Sequence, residues 1–94
     1  MEERRRVPRI IELIQIKEIN RQPRDDSFVL DHSPLGAKLE TPLIFSPGDS
    51  LEFSYFRPGE GKETHHWGQV IWTLPAPDKP GRFLVGVEFF LDID

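Results

Sequence analysis

The sequence predicts an all-β domain closed into a small six-stranded antiparallel barrel, and three observations carry that prediction. Nine prolines and seven glycines cut the 94 residues into short segments separated by turns. Between the breaks, apolar residues recur at every second position, as at Leu51, Phe53 and Tyr55 and again at Phe83, Val85, Val87 and Phe89, which is the period of a half-buried strand. No segment carries a convincing helical period. Closure is the economical arrangement, because six strands left as an open sheet would expose two unpaired edges. A chain of this length supports one core, so residues 1–94 form a single domain, with 1–9 as a flexible arginine-rich segment and 10–94 as the barrel.

The first strand is Ile10–Ile19, IIELIQIKEI, whose β-branched content favours strand over helix. Asn20–Asp26 is a polar turn, and Ser27–Asp31 is the second strand, ending in His32, Ser33, Pro34, Leu35 and Gly36. Ala37–Glu40 is the third. Pro42, Pro47 and Gly48 interrupt the next segment, and Leu51–Tyr55 is the fourth and clearest strand, with Glu52 and Ser54 on its opposite side. Pro58–Lys62 is a turn, and Thr64–Thr73 is a long fifth strand in which Gly68, Val70 and Trp72 share one face. Pro75–Gly81 is a loop with three prolines, and Phe83–Phe89 is the last strand. Phe53, Trp72, Phe83 and Phe89 are expected to fill the interior.

Charge is unevenly placed. Met1–Arg9 holds four arginines against two glutamates, +2, so the remaining residues must carry −6 to give the chain its net −4. A long polyanion is held by neutralising many phosphates over a broad basic surface, and an acidic body with one basic terminus suits a small phosphate-bearing ligand instead. DNA and RNA are therefore not expected as partners. The chain has no cysteine, which removes disulfides, thiolate metal ligands and cysteine nucleophiles together. No apolar run approaches the ~20 residues of a membrane helix, and no signal-peptide pattern succeeds the charged start, so a cytoplasmic protein without membrane insertion is expected.

Two clusters could carry binding. Arg5 and Arg9 stand four residues apart with Pro8 between them; proline keeps the preceding residue out of the helical region, so the pair sits on an extended segment spanning up to about 13 Å. A guanidinium forks onto phosphate oxygens and also onto the O6 and N7 acceptors of guanine. The second cluster is Asp31, Ser33 and Gly36. Alternation along a strand puts Asp31 and Ser33 on one side and His32 on the other, so the consecutive Asp, His and Ser cannot converge as a catalytic triad. Asp31 can accept from guanine N1–H and N2–H₂, Ser33 can serve a phosphate or a base edge, and Gly36 allows a positive φ or a close approach of ligand to backbone. An ordinary turn capped by Asp31 and Ser33 would use the same residues. His65 and His66 are adjacent and face opposite ways, which argues against a metal site, and no acid–base pair recommends an enzyme.

In combination these segments resemble the PilZ domain family. The resemblance rests on RxxxR at Arg5 and Arg9, DxSxxG at Asp31, Ser33 and Gly36, GQVIW at Gly68–Trp72 and GVEF at Gly86–Phe89, in that order over nearly the whole chain. It implies a six-stranded barrel that binds cyclic di-GMP as its ligand, with no cofactor. Arg5 and Arg9 would hold phosphate and the guanine Hoogsteen edge, and Asp31, Ser33 and Gly36 would complete the pocket. Arg4 would influence whether one nucleotide or a stacked pair is bound. Many members continue into a C-terminal helix; this chain stops at Asp94, so a barrel without an extended helix, signalling through an effector protein, is expected. The alternative is a PilZ-like interaction module that does not bind nucleotide.

Overall fold

The computed structural model describes residues 10–57 and 59–90. Its strands are β1 (Ile10–Ile19), β2 (Gln22–Pro23), β3 (Phe28–Ser33), β4 (Gly36–Thr41), β5 (Ser50–Phe56), β6 (Glu63–Pro75) and β7 (Phe83–Phe89). All pairings are antiparallel, in the order β2-β1-β3-β4-β7-β6-β5, and a further β1–β5 pairing closes six strands into a barrel. Among the described residues the two-residue β2 is the one strand beyond that set. It lies inside the expected Asn20–Asp26 turn, where Asn20 and Arg21 take φ of 52° and 67°, both left-handed as a two-residue hairpin of matching twist requires. No helix among the described residues is long and apolar enough to cross a membrane.

Closure depends on irregularities in β1. Its first half pairs with β3 and its second half with β5, and the register shifts once between Ile11 and Ile14 and again between Ile16 and Glu18. Each shift bends the strand and increases its twist, so one segment can seal both sides of the seam. Inside lie Ile14, Ile16 and Ile19 of β1, Val29, Leu39, Leu51, Phe53 and Tyr55, with Val70, Val85, Val87 and Phe89 completing the core. Phe83 is half-buried.

Trp72 departs from expectation. A register shift between Val70 and Trp72 inserts one extra residue into β6, which reverses the alternation beyond it. Val70 points inward at 1% exposure, while Trp72 lies on the outer face at 37%. The interior aromatics are Phe53, Tyr55 and Phe89, and Trp72 does not join them.

The proline-rich β6–β7 loop is tied down by charge. Arg82 Nε donates to Glu40 Oε2 at 2.7 Å, Lys79 Nζ to Oε1 at 3.2 Å, and Arg82 Nη2 to the Asp26 carbonyl at 2.6 Å. Burial alone would raise the Glu40 pKa, but the hydrogen bonds from Arg82 and Lys79 outweigh it and hold the carboxyl below its usual range.

Candidate functional site

β3 and β4 form a hairpin in which Ser33 pairs with Gly36, leaving Pro34 and Leu35 as the turn. Ser33 Oγ accepts the Leu35 N–H at 3.2 Å, so the serine braces the turn from its first residue. The tip is fastened to β7 by a hydrogen bond from Phe89 N–H to the Leu35 carbonyl at 2.8 Å. Gly36 has no positive φ, contrary to one of the two reasons expected for a glycine there. A β-carbon at this position would run into the Val87 carbonyl of β7, so close strand packing is what demands glycine.

The hairpin register places a row of residues across the outer face. Asp31 stands opposite Lys38, Lys38 opposite Gly86, and Gly86 opposite Trp72. Directly opposed residues in antiparallel strands share a face, and the neighbours that alternate with them, Leu39, Val85 and Val87, are buried in the core. Three strand spacings separate the ends of the row, about 14 Å. Gly86 has no side chain on β7, and the Trp72 indole covers it: Nε1, Cε2 and Cζ2 fill the space a side chain at Gly86 would take. The adjacent row carries Ser33, Gly36, Glu88 and Gln69.

Within the row, Lys38 Nζ lies 3.7 Å from Asp31 Oδ2, with the lysine side chain 38% exposed and the aspartate 11%. The structure therefore keeps Asp31 and Ser33 on one side of β3, as alternation requires, and adds Lys38 and Trp72 to that side. Lys38 was legible in principle. A two-residue turn fixes Ser33 opposite Gly36, and counting back two residues on each strand pairs Asp31 with Lys38. Trp72 was hidden by the bulge in β6. Arg4, Arg5 and Arg9 lie outside the described residues.

His32 turns the other way, into the mouth of the barrel. With Ser33, Pro34, Tyr55, Arg57, Thr64 and His66 it lines a cavity of about 240 Å³. Arg57 Nη2 sits 3.3 Å from His32 Nε2, and Arg57 Nη1 donates to Glu60 Oε2 at 3.1 Å. His66 stacks on Phe89 with ring centroids 4.1 Å apart and planes within 6°, and its Nε2 is 3.2 Å from the Tyr55 hydroxyl. Burial, reinforced by the positive charges of His32, His65 and Arg57, pushes the His66 pKa down to about 4. The ring is neutral at pH 7. His65 faces outward instead, with Nε2 3.0 Å from Glu52 Oε2. Among the described residues no three metal-ligating side chains gather.

Comparison with curated proteins gave no match, and comparison with solved structures gave none. The model of the PilZ domain matches residues 3–94. That span includes the arginine spacing, the β3–β4 hairpin and the later GQVIW and GVEF strands. Covering almost the whole chain, the match shows that it belongs to the PilZ domain family.

Proposed function

We propose that this chain is a cytoplasmic receptor for cyclic di-GMP that passes the signal to a protein partner. The observation that carries the reading is the outer row, with a carboxylate at Asp31 at one end and, from a backbone position about 14 Å away, the Trp72 indole lying over Gly86. A cyclic guanine dinucleotide, with a planar base on each side of its ribose–phosphate ring, offers complementary groups at both ends. Asp31 accepts from a guanine Watson–Crick edge, Ser33 and Gly36 border the same base, and Trp72 supplies a face on which the second base stacks. Arg5 and Arg9 close over the ligand, forking onto phosphate and the guanine Hoogsteen edge, with Arg4 setting how many nucleotides are held. Ordering of the N-terminal segment on the ligand creates the surface that the partner reads. The role is one of binding, not catalysis.

Calorimetric titration with cyclic di-GMP tests this, on the wild type and on Arg9→Ala and Asp31→Ala. A charge-assisted contact contributes roughly 1.5–3 kcal/mol, so each substitution should weaken binding about tenfold to a hundredfold. Saturation unchanged by both would sink the reading. A second reading, an interaction module that does not bind nucleotide, draws on the hairpin itself: Ser33 braces its turn and Gly36 is demanded by β7, so both have structural reasons to be present. It predicts no NMR shift changes at Asp31 and Ser33 when nucleotide is added.

A further inference from the structure

We infer that Lys38 is a phosphate-binding residue of the nucleotide site, held ready by Asp31 in the free protein. The inference rests on the receptor reading and goes beyond its two arginines, Asp31, Ser33 and Gly36.

Position within the row is what singles out this lysine. A ligand laid between Asp31 and Trp72 must pass over β4 and β7, and the residues of those strands in the row are Lys38 and Gly86. Gly86 offers backbone and the overlying indole edge. Lys38 therefore brings the row's positive charge to where the middle of the ligand must lie, between the two base-binding ends, and the middle of a cyclic dinucleotide is its pair of phosphates. The neighbouring row adds Glu88 and Gln69 but no cation. Lys79 and Arg82 are committed to Glu40 at 3.2 and 2.7 Å.

The ion pair with Asp31 suits a cation that must change partners. At 3.7 Å it is loose, and the lysine side chain is 38% exposed, so solvent screens it and little is lost when it opens. An ammonium also has three donors and can turn one toward a phosphate while remaining near the carboxylate. In the free protein Lys38 offsets the charge of a nearly buried Asp31. In the complex, guanine N–H groups satisfy Asp31 and the lysine turns to the ligand. The opposite role is physically distinct: a lysine that only neutralises Asp31 would compete with guanine, and removing it would tighten binding.

The test is calorimetry with cyclic di-GMP on the wild type, Lys38→Met, Lys38→Arg and Lys17→Met. Methionine keeps the aliphatic stem without the charge, and Lys17, paired with Glu63 at 3.4 Å outside the row, controls for net charge. Lys38→Met should bind about tenfold to a hundredfold more weakly, with a flatter dependence on salt. Lys38→Arg should restore most of the loss, and Lys17→Met should resemble the wild type. Guanosine monitored by NMR gives a readout without phosphate, and on it wild type and Lys38→Met should match. Affinity for cyclic di-GMP equal to or tighter than wild type in Lys38→Met overturns the inference and leaves the receptor reading standing. So does an equal loss toward guanosine. Absence of binding by the wild type overturns both.

Discussion

His66 gives the fold a dependence on mildly acid pH whose size can be worked out. In the barrel its pKa is about 4, against 6.5 for an ordinary histidine. Between those values the unfolded chain takes up a proton that the folded chain refuses, so stability rises with pH through the window. The contribution is complete above about pH 6.5 and is lost as pH falls toward 4. At about 1.4 kcal/mol per pH unit the full interval corresponds to about 3.4 kcal/mol. The ring borders a cavity at the barrel mouth, where solvent screens the charges of His32, His65 and Arg57, so about 2 kcal/mol is the working figure. For a domain of this size that lowers Tm by roughly 10 °C. The assay is thermal unfolding of wild type and His66→Phe between pH 4.5 and 7.5. Phenylalanine preserves an aromatic stack on Phe89, and whatever constant cost it brings cancels when slopes are compared. The wild type should lose stability across this range by about 2 kcal/mol more than the variant. Parallel curves would refute the reasoning, because they would mean that the ring protonates in place or is not desolvated.

Other contacts give three more outcomes. Arg82→Ala should cost about 2–4 kcal/mol in urea unfolding, because it leaves the 7%-exposed Glu40 side chain with one fewer cation; it should also flatten the acid limb below about pH 4.5, where protonation of the depressed Glu40 carboxyl normally removes stability. Gly86→Ala should lift the Trp72 indole from β7, seen as altered tryptophan fluorescence with a loss of about 1–3 kcal/mol. Asp31→Ala and Trp72→Ala, about 14 Å apart, should change folding stability additively to within about 0.5 kcal/mol. Their effects on cyclic di-GMP affinity should not add, because both ends would hold one ligand, and a double-mutant cycle measures the difference.

Strand bounds were legible wherever β-formers run together. Ile10–Ile19 matches β1 from end to end, and Phe83–Phe89 matches β7, since both follow an arginine in the sequence and are rich in β-formers. The losses come from bulges. Periodicity assigns faces by counting in twos, and one extra residue in β6 moves Trp72 from the core to the surface. No residue type marks that insertion, because Ile71 suits a bulge as well as a regular strand. β2 escaped for a different reason: its two residues are too few to show a period, and Pro23 argues against pairing. At the site, Asp31 and Ser33 were recognisable as polar groups on one side of a strand. Lys38 required the turn length to be fixed before the cross-strand partner could be counted.

β3 serves two surfaces at once, and this decides which substitutions can report on binding. Its outer side carries Asp31 and Ser33, while its inner side sends His32 toward Tyr55, with ring centroids 6.3 Å apart, and toward Arg57. Gly36 belongs to both, since it lies on the outer face opposite Ser33 but is fixed by the Val87 backbone beneath it. A weakened affinity after changing Gly36 would therefore mix lost packing with any lost contact. Lys38 and Trp72 are cleaner probes because their side chains are exposed and rest on the sheet instead of holding it together. The same geometry joins the hairpin to the core. The Leu35 carbonyl accepts the Phe89 N–H at 2.8 Å, and Phe89 stacks on His66 inside the barrel. Leu35, Phe89 and His66 thus form an unbroken chain of contacts from the hairpin tip to the pH-sensitive mouth of the barrel.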